Sequence, residues 1–79
     1  MNPTDPTDSP AANVGIHVNG EHREVPRGLT LDGLVAALTT ARAGVAAAVN
    51  ETVVPRGQWP ATMLGDGDRV EVLTAVQGG

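Results

Sequence analysis

The residues of this chain best suited to covalent chemistry are its last ones, Gln77-Gly78-Gly79. We expect Gly79 to present an α-carboxylate, a group whose ordinary pKa of roughly 3.3 to 3.7 makes it an anion near neutral pH. Such an anion can attack an activated phosphate. Because glycine has no Cβ, the groove of a partner can close around this tail without a clash. The alternative is an inert end, since 10 of the 79 residues are Gly and chain ends often fray.

The composition limits what the remainder of the chain can do. Its 79 residues, with Trp59 as the single aromatic, make one domain with a small aliphatic core. A domain of this size buries only about 60% of its extended-chain surface, which leaves no room for an enclosed substrate cavity and argues against an enzyme. The net charge of −4, with five Arg and no Lys, lacks the basic patch that nucleic-acid binding needs. Without Lys the chain cannot form isopeptide-linked polymers of itself, and without Cys it forms no disulfides.

The N-terminal segment, residues 1–12, is predicted to be disordered. It contains three Pro and two Asp, and no large apolar residue follows Met1. Such a segment cannot bury enough surface to offset the entropy of ordering it. It also lacks the basic and apolar regions of a signal peptide, and no apolar run in the chain approaches the roughly 20 residues of a membrane span. We therefore expect no membrane association and a cytoplasmic location.

From residue 13 onward the hydrophobic pattern predicts strands around one helix. Val14, Ile16 and Val18 alternate with polar or small residues, and Asn19-Gly20 is a strong signal for a two-residue hairpin turn. The returning strand, residues 21–25, is poor in apolar residues and is predicted to lie at a sheet edge.

A helix is predicted to begin after Thr30, a good N-cap residue. Four apolar residues then fall on one helical face: Leu31, Leu34, Val35 and Leu38. Asp32 and Arg42 suit the two ends of the helix dipole, and Gly44 is the predicted C′ residue that stops the helix.

Three more strands are predicted after the helix, over residues 45–49, 52–54 and 69–76. A loop with one helical turn, residues 57–64, and a Gly-Asp turn, residues 65–68, separate the last two of them. Several strands with one covering helix make an α+β fold.

The last strand offers candidates for a partner interface. Leu73 alternates in parity with Val70 and Val72, so Leu73 faces outward beside the tail if the two valines are core. We predict an interface made of Arg56, Leu73, Ala75 and Val76. A half-covered leucine and an isolated surface arginine are the alternatives, and Trp59 is predicted to pack under its loop.

No metal or nucleotide site is predicted. His17 and His22 lack companions at metal-ligand spacing and are expected to be exposed strand residues. Asp66 and Asp68 belong to a turn, because the position where a calcium loop needs a Glu is Gln77. There is no GxxxxGK[ST] and no GxGxxG motif, so we expect the chain to bind no cofactor of its own.

The order of these elements resembles the ThiS family of sulfur carriers in thiamine biosynthesis. The resemblance rests on residues 50–56, NETVVPR, followed by Trp59, and on residues 66–71, DGDRVE, before the Gly-Gly end. The last two features are shared with the small subunit of molybdopterin synthase. The resemblance implies a ubiquitin-like β-grasp fold over residues 13–76, a mixed sheet wrapped on one main helix, with residues 77–79 as a flexible reactive tail.

The resemblance also implies a mechanism and partners. A ThiF-like adenylyltransferase is expected to use ATP and magnesium to adenylate Gly79, with Gln77, Gly78 and Gly79 entering its active site. Sulfur from cysteine, delivered through a desulfurase, then replaces AMP and leaves a thiocarboxylate. A ThiG-like thiazole synthase is expected to accept that sulfur.

Other functions remain open on the sequence alone. The chain could carry sulfur for another pathway, such as molybdopterin synthesis or tRNA thiolation. It could instead be a non-reactive β-grasp interaction module, in which case the loss of Gly79 would change nothing. Conjugation to proteins, as by ubiquitin, is a third alternative.

Overall fold

The computed structural model describes residues 13–41 and 43–75. Within these residues one mixed five-stranded sheet, in the order β2-β1-β5-β3-β4, is covered on one face by a helix and a 3₁₀ segment. Along the chain the elements are β1 (Asn13–Val18), β2 (Glu21–Pro26), α1 (Leu31–Leu38), β3 (Val45–Val49), β4 (Thr52–Val53), the 3₁₀ segment (Arg56–Ala61) and β5 (Arg69–Thr74). β5 runs parallel to β1, and the other neighbours are antiparallel.

The predicted hairpin is confirmed. β1 pairs with β2 in the register that places Val18 opposite Glu21, across a two-residue turn. Asn19 and Gly20 have φ values of 51° and 86°, the left-handed conformation that a tight hairpin turn of this kind requires at both positions. β2 lies at a sheet edge, as predicted, and Val25 is its one buried residue.

The helix begins where predicted and ends earlier. The Thr30 hydroxyl accepts a hydrogen bond from the Gly33 amide at 3.1 Å, which is an N-cap. After Leu38 the backbone of Thr39 is extended, and its hydroxyl accepts from the Ala41 amide at 3.0 Å. This local bond competes with continued helix, so the prediction of Gly44 as the C′ residue is wrong. Gly44, at φ 73°, leads into β3 instead, and Arg42 lies outside the described residues.

One aliphatic core fills the space between the sheet and the helix. The strands contribute alternate residues to it, as their period of two requires, and Trp59 and Leu64 are buried in it from the segment between β4 and β5. Its buried members are Val14, Ile16, Val18, Val25, Leu31, Leu34, Val35, Ala47, Trp59, Leu64, Val70 and Val72. No buried side-chain polar atom in the described ranges lacks a hydrogen-bond partner.

The second half of the chain follows the prediction with shorter strands. The strand predicted over residues 52–54 contains Thr52–Val53, and the helical turn predicted within residues 57–64 is the 3₁₀ segment, Arg56–Ala61. β5 ends at Thr74 rather than at residue 76. The predicted disorder of residues 1–12 and the predicted tail of residues 77–79 concern residues that the structure does not describe. Across residues 13–41 and 43–75, the helix present is too short to cross a bilayer.

Candidate functional site

The predicted tail continues directly from β5, which occupies the centre of the sheet. β5 has β1 on one side and β3 on the other, and its inward residues Val70 and Val72 are buried under α1. A strand with neighbours on both sides is held more firmly than an edge strand. The contacts that hold β5 at its two ends therefore determine how the following residues are presented.

At its start, β5 is fixed by the carboxylates of the preceding turn. Asp66 Oδ1 accepts a hydrogen bond from the Gly15 amide at 2.9 Å, which ties the turn to β1. Asp68 Oδ2 accepts from the Gly65 amide at 2.8 Å and closes the turn itself. Since these oxygens bind main-chain amides, both carboxylates have a structural role in the turn, in agreement with the prediction of a turn at this point.

Two asparagines in left-handed turns hold β5 from opposite sides. Asn50, at φ 51°, donates from Nδ2 to Asp68 Oδ1 at 3.0 Å and accepts at Oδ1 from the Arg69 amide at 3.0 Å. Asn19, also at φ 51°, accepts at Oδ1 from the Val72 amide at 2.9 Å and donates from Nδ2 to the Val72 carbonyl at 3.2 Å. The sequence pattern predicted the Asn19 turn and placed Asn50 between two strands, but it revealed neither side-chain role. The partner of Asn19 is 53 residues away, so no local signal could reveal it.

At its end, β5 is held mainly from the β3 side. Thr74 pairs with Val45, and the Ala75 amide donates to the Gly44 carbonyl at 2.6 Å. On the helix side, α1 ends too early to cover Thr74, which is exposed although it shares the parity of the buried valines. Ala75 is exposed as well, and Val76 and residues 77–79 follow outside the described residues. Thr74 and Ala75 thus lie at an end of β5 that the helix does not cover.

Leu73 lies on the outer face of the sheet, as its parity predicts, with 67% of its surface exposed. Its cross-strand partner is Ala46, and Ala48 and Val53 lie beside it on the same face, with Val53 72% exposed. Together with Glu71 these residues line a shallow depression of about 140 Å³. We call this surface the outer patch: Ala46, Ala48, Val53, Glu71 and Leu73.

Arg56 and Trp59 belong to the 3₁₀ segment and line a groove beside α1, away from the outer patch. The Arg56 guanidinium carbon is 5.5 Å from the centre of the Trp59 ring, within the range of a cation–π contact. Trp59 is 3% exposed and donates from Nε1 to the Val54 carbonyl at 2.9 Å, so it packs under its loop as predicted. Of the predicted interface residues, the structure brings Leu73 and Ala75 to the exit of β5, and it does not bring Arg56 next to them.

The two histidines form a cross-strand pair on the hairpin. His17 and His22 face each other with ring centres 5.5 Å apart, and His22 Nε2 is 3.8 Å from Glu24 Oε2 on an exposed surface. Both are exposed strand residues, as predicted. Over residues 13–41 and 43–75, no group of three or more metal-binding side chains comes together.

The comparisons with known proteins agree with this architecture. The model of the ThiS family matches residues 16–79, which is most of the chain. The chain belongs to the ThiS family. The match extends through Gly78-Gly79, so the predicted resemblance is confirmed over both the sheet and the tail sequence.

Two curated relatives of this ThiS-family chain differ in how much of their own length it matches. It is 33% identical over 64 residues to the sulfur carrier protein ThiS of Escherichia coli, covering 81% of the chain and 97% of that protein. It is 41% identical over 64 residues to a thiazole synthase of Magnetococcus marinus. The match covers 81% of this chain and 20% of that relative, so the chain spans about a fifth of the length of that protein.

A solved structure confirms the fold of the ThiS-family chain. The crystal structure of the thiamine biosynthesis protein ThiS from Geobacter metallireducens has a TM-score of 0.69 at 35% identity, covering 84% of this chain and 100% of that one. The solution structure of a thiamine biosynthesis protein from the same organism gives a TM-score of 0.71. The predicted β-grasp sheet around one helix is therefore confirmed. Membership of a carrier family likewise confirms the prediction that the chain is not an enzyme.

Proposed function

We propose that this chain is a sulfur carrier of thiamine biosynthesis whose working group is the carboxylate of Gly79. The observation that supports the proposal most is the match of the ThiS family through residue 79. It is combined with a central strand that ends at exposed residues, Thr74 and Ala75, which lie five and four positions before residue 79. Four residues follow Ala75, and fully extended they reach about 13–14 Å. That reach is enough for the carboxylate to enter a partner's active site while the sheet stays outside.

The proposed chemistry has two steps. In an adenylyltransferase of the ThiF type, the Gly79 carboxylate oxygen attacks the α-phosphate of magnesium-bound ATP; an acyl–phosphate bond forms and pyrophosphate leaves. A desulfurase transfers sulfur from cysteine to form a persulfide, and a thiol reductant releases it as hydrosulfide. The hydrosulfide attacks the acyl carbon, and AMP leaves with the former carboxylate oxygen. The product is a thiocarboxylate. Neither step changes an oxidation state at the carrier, so the carrier supplies a carboxylate and its position.

We further propose that a thiazole synthase receives the sulfur. The support is the Magnetococcus marinus thiazole synthase, which contains within its own chain a segment 41% identical to this one. A carrier domain and a synthase present in one polypeptide have a raised effective concentration for each other. Sulfur transfer from this chain therefore requires a surface on it that forms an interface with the synthase.

The outer patch is the surface that we propose for that interface. Leu73 and Val53 are large apolar residues more than two-thirds exposed, and Leu73 lies three residues before Val76, on the strand that leads to the tail. Small alanines beside them leave a shallow depression that a partner side chain can fill. Docking at this position would keep the tail within reach of the synthase. Ala75 and Val76 would contribute as the chain enters the partner.

An ATP–pyrophosphate exchange assay tests the first step. With a ThiF-like adenylyltransferase and magnesium, the chain should stimulate exchange of labelled pyrophosphate into ATP, because adenylation of Gly79 is reversible. A variant that lacks Gly79 is the matched control, since it keeps every residue of the described domain. Exchange that is equal with and without Gly79 would show that the end is inert and would favour an interaction module.

A further inference from the structure

Asn19 extends the β1–β5 pairing beyond the point where β1 ends. Alternate residues of β5 and of the turn before it direct their main-chain groups toward β1. The His17 amide donates to the Asp68 carbonyl and the Asn19 amide donates to the Val70 carbonyl, both at 2.9 Å. After Asn19 the main chain turns away through Gly20 into β2. The next pair of main-chain groups on β5, those of Val72, therefore has no strand beside it.

The carboxamide of Asn19 takes the place of that missing strand. Its Oδ1 accepts from the Val72 amide at 2.9 Å, and its Nδ2 donates to the Val72 carbonyl at 3.2 Å. A continuing β1 would make these two bonds through a main-chain carbonyl and a main-chain amide two residues further on, so one carboxamide replaces groups from two peptide units. Both bonds are partly buried, so water replaces them poorly, and their loss would leave polar groups of β5 incompletely satisfied.

Val72 is the last residue of β5 that is held on the β1 side in the described structure. Beyond it, the contacts that remain come from β3, ending with the bond from the Ala75 amide to the Gly44 carbonyl. The helix adds little there, because Leu38 and Thr39 only border an open notch beside Thr74. Asn19 thus holds the strand two residues before its end, at the point where packing becomes thin.

We propose that Asn19 is a positioning residue for the reactive tail. By clamping Val72 it limits the directions that Thr74 and Ala75 can take, and so lowers the entropy that must be lost when a partner binds the end of β5. This inference rests on the proposed function of Gly79. It assigns Asn19 no contact with the reacting atoms: Asn19 acts through Val72.

Asn50 provides a matched comparison. It has the same φ of 51° and also accepts from a β5 amide through its carboxamide, but at Arg69, the first residue of the strand. Asn50→Gly and Asn19→Gly remove equivalent groups, and glycine accepts the left-handed conformation in both turns. A merely structural role predicts similar effects of the two changes, whereas a positioning role predicts that they differ in function.

The test is steady-state adenylation or thiocarboxylation of purified variants by a ThiF-like enzyme. Asn19→Gly should raise KM for the carrier by about threefold to tenfold with kcat nearly unchanged, because the enzyme must then fix an end of β5 that Asn19 no longer holds. Asn50→Gly should leave KM within about twofold of the parent protein despite a similar loss of stability. Equal KM values for Asn19→Gly and the parent, or equal rises for both variants, would overturn the proposal.

A second readout separates this inference from the proposed function. NMR relaxation at Thr74 and Ala75 should show greater fast motion in Asn19→Gly than in Asn50→Gly, whether or not the enzyme accepts the carrier. Unchanged motion would overturn the positioning role even if Gly79 is adenylated. If Asn19→Gly does not fold, Asn19→Asp is the replacement: it tolerates the same φ and keeps the acceptor for the Val72 amide, but it loses the donor to the carbonyl. It should show the same ordering of KM and motion.

Discussion

The two ends of β5 are held in very different ways. At the start, three side chains tie the turn before β5 to the rest of the sheet. The Asp66 carboxylate bonds the Gly15 amide of β1, the Asp68 carboxylate closes the turn, and the Asn50 carboxamide bonds both Asp68 and the Arg69 amide. At the end, the Asn19 side chain on one side and the Gly44 carbonyl on the other complete the pairing, and the last residues are exposed. Under the proposed function this difference is a division of labour, in which the start of β5 stabilises the fold and the end presents the chain to a partner. Changes at the two ends should therefore have separable effects.

The largest effect is expected beyond the end of β5. Replacing Gly78-Gly79 by Ala-Ala should reduce thiazole formation by a reconstituted system by more than about a hundredfold, because added Cβ atoms clash in a narrow groove and misplace the reacting carboxylate. The melting temperature should stay the same, since the buried core ends at Val72. Normal thiazole formation by this variant would contradict the role assigned to the tail.

The next effect concerns the outer patch near the exit. Leu73→Thr keeps a strand-forming residue but removes apolar surface, and it should weaken binding to a thiazole synthase by about tenfold, the scale of a central interface residue. Met63→Thr is the matched control, because Met63 is equally exposed, at 68%, but pairs with Thr30 far from the patch. Calorimetric titration measures both. Similar losses for the two variants would remove the outer patch from the interface, and a loss of binding to the adenylyltransferase alone would assign it to that enzyme.

At the start of β5 the expected effect is on stability. Asp68→Ala removes the acceptors for the Gly65 amide and for Asn50 Nδ2, and it should lower the free energy of unfolding by about 1–3 kcal/mol. Glu71→Ala, on the exposed outer face, should change it by less than about 0.5 kcal/mol. Urea titration gives both values. Adenylation of Gly79 should be unaffected at temperatures where Asp68→Ala is folded; a large fall in kcat there would break the proposed separation of the two ends.

The smallest effect is expected in the turn that supports the start. Glu51 has φ 72° although it is not glycine. Within the described residues its only ion pair is a 3.6 Å contact with Arg69, and both side chains are exposed. Glu51→Gly relieves the left-handed conformation and should raise the melting temperature slightly, by the equivalent of about 0.5–1 kcal/mol. Gly20→Ala, at φ 86°, should lower it by a similar or larger amount. Opposite signs would show that local backbone strain does not control these turns.

The fold was largely predictable because its signals are local. Alternating apolar residues, the Asn19-Gly20 turn and the Thr30 cap each act within a few positions, and each is found as expected. The end of the helix was not predicted, since it depends on a local choice. The Ala41 amide bonds the Thr39 hydroxyl instead of continuing the helical hydrogen bonds. The predicted end of β5 at residue 76 was also wrong. The strand ends at Thr74, where its pairing with Val45, the first residue of β3, ends.

For the candidate site, the parity of Leu73 identified an outward residue, which the structure confirms. The reactive tail inferred from the Gly-Gly sequence stays a prediction. The clamps on β5 join residues far apart in the sequence, such as Asn19 and Val72, so only the folded chain shows them. The separation of Arg56 from Leu73 has the same origin, because the parity of a strand residue does not tell on which side of the sheet another segment of the chain lies.

The most direct measurement is the intact mass of the chain after incubation with a ThiF-like adenylyltransferase, magnesium, ATP and a sulfide source. The account predicts the gain that replaces one oxygen by one sulfur, confined by fragmentation to Gly79 and absent when ATP is omitted. An unchanged mass with an adenylyltransferase that is active on another carrier, or a sulfur located anywhere but at Gly79, would contradict it.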